Sequence, residues 1–276
     1  MKIVYKTTLA KTNDTSVVLI KVENPDIAKS AKPGQFALLM LSREGERIPL
    51  TIVEADKETG LVTFIFQELG FTTKLLGTMK EGEGLFSVVG PLGHATEIKN
   101  FGKVILIGGG VGIAEIYPVA KALKAAGTEV ASILGARNKD LLILEQELKD
   151  CSKEFFVTTD DGSYGRKGFV TDVLNELLQN KWGAHHIYAV GPIPMMKAIS
   201  MIGKKANVPT IVSLNALMVD GTGMCGCCRV TVGGKVKFSC IDGPEFDGRD
   251  VSWEEVQMRS RVYRDKENHI CKLTNL

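Results

Sequence analysis

Four of the six cysteines, Cys225, Cys227, Cys228 and Cys240, are crowded into one stretch of the 276-residue chain. The first part reads Leu217-Met-Val-Asp220-Gly-Thr-Gly-Met-Cys225-Gly-Cys227-Cys228, and the second Phe238-Ser-Cys240-Ile-Asp242-Gly-Pro244. Thiols gathered this tightly point to a metal, because a disulfide framework spreads its cysteines through a smaller secreted chain. Asp220, Cys225 and Cys228, with Cys240 beyond them, have the C-x4-C-x2-C…C spacing of a plant-type 2Fe–2S cluster, an aspartate standing in the first place. Gly221, Gly223 and Gly226 let a ligand loop wrap closely and adopt positive φ. Structural zinc is the alternative, since Cys-x2-Cys with a remote thiol also suits a tetrahedral ion. The second knuckle that zinc sites commonly pair with it is missing. Cys227 adjoins Cys228 and points away from it, so both do not bind one small cluster. Cys151 and Cys271 stand apart and read as inert thiols. An aspartate oxygen is harder than a thiolate and can be protonated, so such a cluster should differ in potential from an all-cysteine one and vary with pH.

A second chemistry is phosphate binding. Gly108-Gly109-Gly110-Val111-Gly112 follows an apolar run and precedes a helical one, which sets backbone N–H groups and a positive helix end towards an anion. It is not a G-x-G-x-x-G match, because Ile113 holds the last glycine place; a tight strand–helix turn is the competing reading. The next strand ends at Ala136-Arg137 without the acidic residue that would hold a ribose. Asp161-Gly162 and Gly191-Pro192, with Met195, lie just past further strand ends, where open α/β sheets bind ligands. Earlier in the chain, Arg47-Ile-Pro49-Leu50-Thr51 offers a guanidinium for a pyrophosphate and a hydroxyl for a flavin ring. Gly70-Phe-Thr72-Thr73 offers another phosphate turn. Taken alone, both read equally well as an ordinary surface strand and turn.

These residues need a scaffold. Residues 1–98 carry short strands rich in Val, Ile, Phe and Thr, at 3–6, 16–22, 35–41, 51–54 and 61–67, separated by Asn-Asp, Pro-Gly and Thr-Gly turns. That pattern predicts an antiparallel β-barrel. From 99 to 214, strands at 103–107, 129–134, 154–158, 186–190 and 210–213 alternate with helical stretches, which predicts a parallel sheet covered by helices. Residues 215–250 hold the cysteines and a hairpin turned at Gly233-Gly234, and 251–276 form a polar tail. With 44% hydrophobic and 24% charged residues and a net charge of +2, the chain has ample core and no strong field. Nucleic acid and membrane are therefore not expected partners. No stretch approaches the roughly 20 apolar residues of a membrane span, and the N-terminus lacks the apolar core of a signal peptide. A cytoplasmic protein is expected.

The order of these parts resembles the ferredoxin–NADP reductase superfamily, and within it the electron-transfer subunits of dihydroorotate dehydrogenase. The matching pieces are Arg47–Thr51, Gly70–Thr73, Gly108–Gly112, Gly191-Pro192 and the closing Cys240-Ile-Asp242-Gly-Pro244. Asp220 in place of a cysteine is similar to the small subunits of NADH-dependent ferredoxin:NADP oxidoreductases, a branch also called sulfide dehydrogenase beta subunits. Thr72 replaces a glycine of the phosphate turn, and Glu115 replaces the proline common after Gly-Ile-Ala. The resemblance implies FAD on Arg47, Pro49, Leu50, Thr51, Gly70, Thr72 and Thr73. It implies NAD(H) on Gly109, Gly110, Val111, Gly112, Arg137, Asp161, Gly162, Gly191, Pro192 and Met195, and a 2Fe–2S cluster on Asp220, Cys225, Cys228 and Cys240. The flavin would carry the chemistry, and none of the four histidines lies in a catalytic motif. The implied partner is a larger flavoprotein with 4Fe–4S clusters that binds NADPH, reaching ferredoxin through the complex by electron bifurcation. The alternatives are dihydroorotate oxidation and, outside redox chemistry, a zinc-stabilised nucleotide-binding regulator.

Overall fold

The computed structural model describes residues 1–180, 182–263, 266–267 and 269–271. Of the expected polar tail, residues 264, 265, 268 and 272–276 lie outside the described residues. The N-terminal half is built from β1 (Ile3–Lys11), β2 (Ser16–Glu23), α1 (Pro25–Ser30), β3 (Phe36–Met40), β4 (Arg47–Thr51), β5 (Glu54–Asp56), β6 (Leu61–Gln67), α2 (Phe71–Thr78) and β7 (Ser87–Leu92). Its strands form a four-stranded sheet, β1-β2-β6-β5, and a three-stranded sheet, β4-β3-β7, all antiparallel. Alternation places Val18, Ile20 and Val22 of β2 and Phe64 and Phe66 of β6 inward, against Ala37 and Leu39 of β3. The two sheets therefore share one core, which is the expected barrel resolved into two faces.

Both short helices escape an alternation pattern. Asn24 caps α1 by accepting from the Ile27 N–H at 3.2 Å, with Pro25 in the first turn where its missing N–H costs nothing. At α2, Thr73 Oγ1 accepts from the Gly70 N–H at 3.1 Å. The strand expected at 51–54 is split, because Ile52 and Val53 turn inward between β4 and β5.

The second half runs β8 (Lys103–Gly109), α3 (Gly112–Ala125), β9 (Glu129–Ala136), α4 (Glu145–Cys151), β10 (Glu154–Thr159), β11 (Arg166–Lys167), α5 (Val170–Gln179), β12 (His186–Val190), α6 (Ile193–Ala206) and β13 (Thr210–Ser213). The cysteine segment adds β14 (Arg229–Val232), β15 (Lys235–Phe238), β16 (Glu245–Asp247) and α7 (Trp253–Arg259). One sheet has the order β11-β10-β9-β8-β12-β13-β16, parallel except where β16 joins β13 antiparallel. Thus a strand from the cysteine segment completes the nucleotide-domain sheet.

Along β8 the side chains divide by parity. Val104 and Leu106 enter the core under α3, which also takes Ala10, Val17 and Ile65 of the barrel, while Ile105 and Ile107 enter the core under α5 and α6. The chain winds one way from β8 to β10 and then returns to β12 on the other side. The carboxyl ends of β8 and β12 are therefore the switch point, where such sheets open a crevice.

Candidate functional site

At that crevice the two predicted glycine turns meet. Gly108 and Gly109 end β8 as strand residues, and Gly110 (φ +57°) makes the turn into α3. A Cβ on Gly109 would stand 2.5 Å from the Met195 sulfur, and one on Gly112 would strike the Val190 carbonyl. Gly191 adopts φ +157°, with Pro192 capping α6 beside it. Gly109, Gly112, Gly191, Pro192 and Met195 thus lie together, with Gly110 and Val111 between them. The neighbouring strand ends are tied as well: the Asp161 N–H donates to the Arg137 carbonyl at 3.2 Å, and Gly162 takes φ +78°. Asp161 accepts from the Ser163 N–H at 2.9 Å, and the Ser163 hydroxyl bond holds the Asp161 carboxyl below its usual range. One residue absent from the sequence expectations joins them. Asn138 Oδ1 is buried just beyond β9 with no hydrogen-bond partner among the described residues.

On β4, the alternating pleat sends Ile48 and Leu50 to the barrel core and leaves Arg47, Pro49 and Thr51 on the opposite face. Leu50 therefore offers backbone rather than side chain to anything lying on that face. Arg47 Nη1 donates to the Val219 carbonyl at 3.0 Å, so the guanidinium reaches the residue preceding Asp220. Thr51 Oγ1 donates to Glu115 Oε2 at 3.0 Å. Burial raises the Glu115 carboxyl to about 7, the Thr51 bond only partly opposing it. At the α2 turn, Thr73 is engaged with Gly70 and Thr72 Oγ1 donates to Glu46 Oε2 at 2.7 Å. Glu267 lies against Gly70, where a Cβ would overlap its carboxylate. Gly70, Thr72 and Thr73 are together, but two carboxylates share their turn.

The cysteine loop takes its path from Gly221 (φ +76°), Gly223 (φ +80°) and Gly226 (φ +69°), conformations that L side chains resist. The hairpin β14–β15 turns at Gly233-Gly234 as expected. It brings Cys228 and Cys240 together, with sulfurs 3.3 Å apart, both buried with Met218 against Phe36 and Leu38 of β3. Burial pushes the Cys240 thiol up to about 12. Asp220 accepts from the Thr222 N–H at 2.9 Å and the Cys225 N–H at 2.8 Å, and these amides hold its carboxyl low. Cys225 is exposed, and the Cys227 amide lowers its thiol. Asp220 therefore lies with Cys225, whose thiol also meets that of Cys227, and Cys228 lies with Cys240. Among the described residues no three His, Cys, Asp or Glu side chains converge on one ion position. Ser239 Oγ, next to Cys240, is buried without a partner. A carboxylate and thiols gathered on this one loop have the donor chemistry that would suit a two-iron cluster.

Comparison with known proteins follows the same division. Residues 106–201 match the oxidoreductase NAD-binding domain, and residues 215–252 match the iron-sulfur cluster binding domain of dihydroorotate dehydrogenase B. A Thermotoga maritima protein described as a homologue of the dihydroorotate dehydrogenase B (NAD(+)) electron transfer subunit is 49% identical over 246 residues, covering 89% of this chain and 86% of its own. The dihydroorotate dehydrogenase B electron transfer subunit of Fusobacterium nucleatum is 33% identical, covering 85% of this chain and 92% of its own. A chain from the solved structure of an NADH-dependent reduced ferredoxin-NADP oxidoreductase, studied for flavin-based electron bifurcation, superimposes with a TM-score of 0.91. It is 46% identical, covering 100% of this chain and 98% of its own.

Proposed function

The chain belongs to the family of dihydroorotate dehydrogenase B electron-transfer subunits and their homologues, and from that premise we propose that it carries electrons from NADH through FAD and a 2Fe–2S cluster to a larger flavoprotein subunit. That partner would hold 4Fe–4S clusters and bind NADPH, and the complex would couple ferredoxin, NADH and NADP by flavin-based bifurcation. The observation that carries the proposal is the Arg47 bond to the Val219 carbonyl. It makes the strand assigned to the flavin and the loop assigned to the cluster immediate neighbours, as transfer of single electrons requires.

In this reading Gly109, Gly110, Val111, Gly112, Gly191, Pro192 and Met195 bed the nicotinamide nucleotide. Arg137, Asn138, Asp161 and Gly162 lie towards its far end. Arg47, Pro49, the Leu50 backbone and Thr51 orient the flavin, with Gly70, Thr72 and Thr73 at the adjoining turn. Asp220 and Cys225 hold one iron, and Cys228 and Cys240 the other. Bound there, FAD supplies the exchange between electron pairs and single electrons that neither nicotinamide nor an iron–sulfur centre performs alone. The protein orients these groups and keeps water from the buried pair of thiols. No described helix is long and apolar enough to cross a membrane.

The likeness at 46% identity across the whole chain favours the bifurcating complex. The relatives named for dihydroorotate dehydrogenase support a second reading, in which the partner oxidises dihydroorotate. Anaerobic purification of the complex through a tag on this chain, followed by reduction with each donor, separates them. The proposal expects bleaching of flavin and cluster by NADH and transfer to NADP in the presence of reduced ferredoxin. Bleaching by dihydroorotate with an FMN-containing partner would transfer the assignment to the second reading.

A further inference from the structure

A hydride is two electrons and a proton. If the flavin receives a hydride and the cluster removes only electrons, each turnover leaves one proton beside the flavin. Asp220 belongs to the cluster loop rather than to the flavin strand, and none of the histidines is among the residues assigned to the site. What the seam between barrel and nucleotide domain does hold is the Thr51–Glu115 pair, donor and acceptor 3.0 Å apart, one from β4 and the other from the first turn of α3.

We infer that Glu115, acting through the Thr51 hydroxyl, takes up the proton the flavin loses as its electrons pass to the cluster. The inference rests on the proposed function. In the step, Thr51 Oγ1 would give its proton to Glu115 Oε2 and receive one from a flavin N–H. The flavin N–H and one threonine O–H bond break, a new threonine O–H and a Glu115 O–H form, and the two electrons leave one at a time by way of the cluster. Glu115 then returns the proton to solvent.

The surroundings suit a proton holder. Burial sets the Glu115 carboxyl at about 7, where gaining and losing a proton both cost little. From β4 the facing polar group is the Thr51 hydroxyl. From β12 comes Tyr188, whose hydroxyl donates to Glu245 Oε1 of β16 at 2.6 Å, and Glu245 also accepts from Thr96. Tyr188 feels both carboxyls, and burial raises both the tyrosine and Glu245. Among the described residues no cation offsets the burial of Glu115. Proline, the residue expected at this place, could hold no proton.

The test uses the full chain in its complex, comparing wild type with Glu115→Gln, Glu115→Asp, Thr51→Val and Thr51→Ser. Time-resolved infrared spectra recorded while the NADH-reduced flavin is reoxidised should contain a transient carboxylic-acid band that is absent in Glu115→Gln and shifted but present in Glu115→Asp. Reoxidation of the flavin by the cluster should slow about a hundredfold in Glu115→Gln and Thr51→Val, and Thr51→Ser should restore it. The wild-type rate should rise with pH through about 7 as the carboxylate becomes available, and this rise should vanish in Glu115→Gln. A band that persists in Glu115→Gln, in protein that holds flavin and is reduced by NADH, overturns the inference and leaves the proposed function standing. Protein that holds no flavin, or that NADH does not reduce, overturns both.

Discussion

The loops at Gly108–Gly112 and Asp220–Cys228 are both rich in glycine, but glycine serves each for a different reason. In the first, the glycines answer packing from behind: a Cβ would meet Ile113 at Gly108, Met195 at Gly109 and the Val190 carbonyl at Gly112, and only Gly110 needs positive φ. The loop is set by β8 and β12, whose buried side chains fix it before any ligand arrives. In the second, Gly221, Gly223 and Gly226 all take positive φ, while Met224 is 89% exposed and Cys225 is exposed. Its path is held by the Asp220 carboxylate and by one buried pair of thiols. The nucleotide loop is a product of the core, whereas the cluster loop owes its path to its own turns and would gain further support from a bound cluster.

Four experiments sharpen or break that contrast. The largest effect is expected from Cys240→Ser, which removes one of the buried thiols. Visible absorption of the cluster should be lost entirely and the 215–252 segment should become protease-sensitive, while NAD binding measured by calorimetry persists. Loss of nucleotide binding along with the cluster would show that the two loops are not independent. Next is Gly109→Val, which drives a side chain into Met195 and Pro192. Overpacking of about 2 kcal/mol should weaken nucleotide binding about thirtyfold, with iron content unchanged.

The third concerns pH. Glu115 has a folded-state value of about 7 against an ordinary 4.5, so the folded protein binds the extra proton between those values. Its contribution to stability is complete below about 4.5 and is lost as pH rises towards about 7. In urea denaturation, the midpoint of Glu115→Gln should therefore gain on wild type over that window and stay level above it. A constant difference across the window would remove Glu115 from the account. The smallest effect is expected from Arg47→Ala. Loss of one charge-assisted bond should weaken flavin retention about fivefold with little change in the unfolding midpoint.

The same contrast explains what could be read in the sequence. The strands β8, β12 and β13 are apolar runs bounded by turn residues, and the β14–β15 hairpin is announced by Gly233-Gly234, so sheet class and hairpin were legible. The spacing from Asp220 to Cys228 is local and was legible too. β16 was not, because Glu245-Phe-Asp247 has one apolar residue and becomes a strand only by pairing with β13. The start of α4 was not legible either, because it is set by Leu144, whose φ of +51° no local pattern announces. At the site, the resemblance implies FAD on Leu50 without saying which of its atoms would serve, and the pleat, which turns its side chain inward, leaves the backbone for that role. The Thr51–Glu115 and Arg47–Val219 bonds join residues far apart in the chain, and no local pattern encodes them. Glu115 could be noticed only as a carboxylate where proline was expected, and Asn138 only as a polar residue at a strand end.

The central claim is that Asp220, Cys225, Cys228 and Cys240 act as two pairs on two irons. Iron, acid-labile sulfide and zinc should be counted on anaerobically prepared complex, with the electron paramagnetic resonance spectrum of the dithionite-reduced sample recorded alongside that of Asp220→Cys. The account predicts a reduced two-iron signal that is retained but altered when the aspartate becomes a thiolate. A zinc-loaded, signal-free segment, or a signal indifferent to Asp220→Cys, would contradict it.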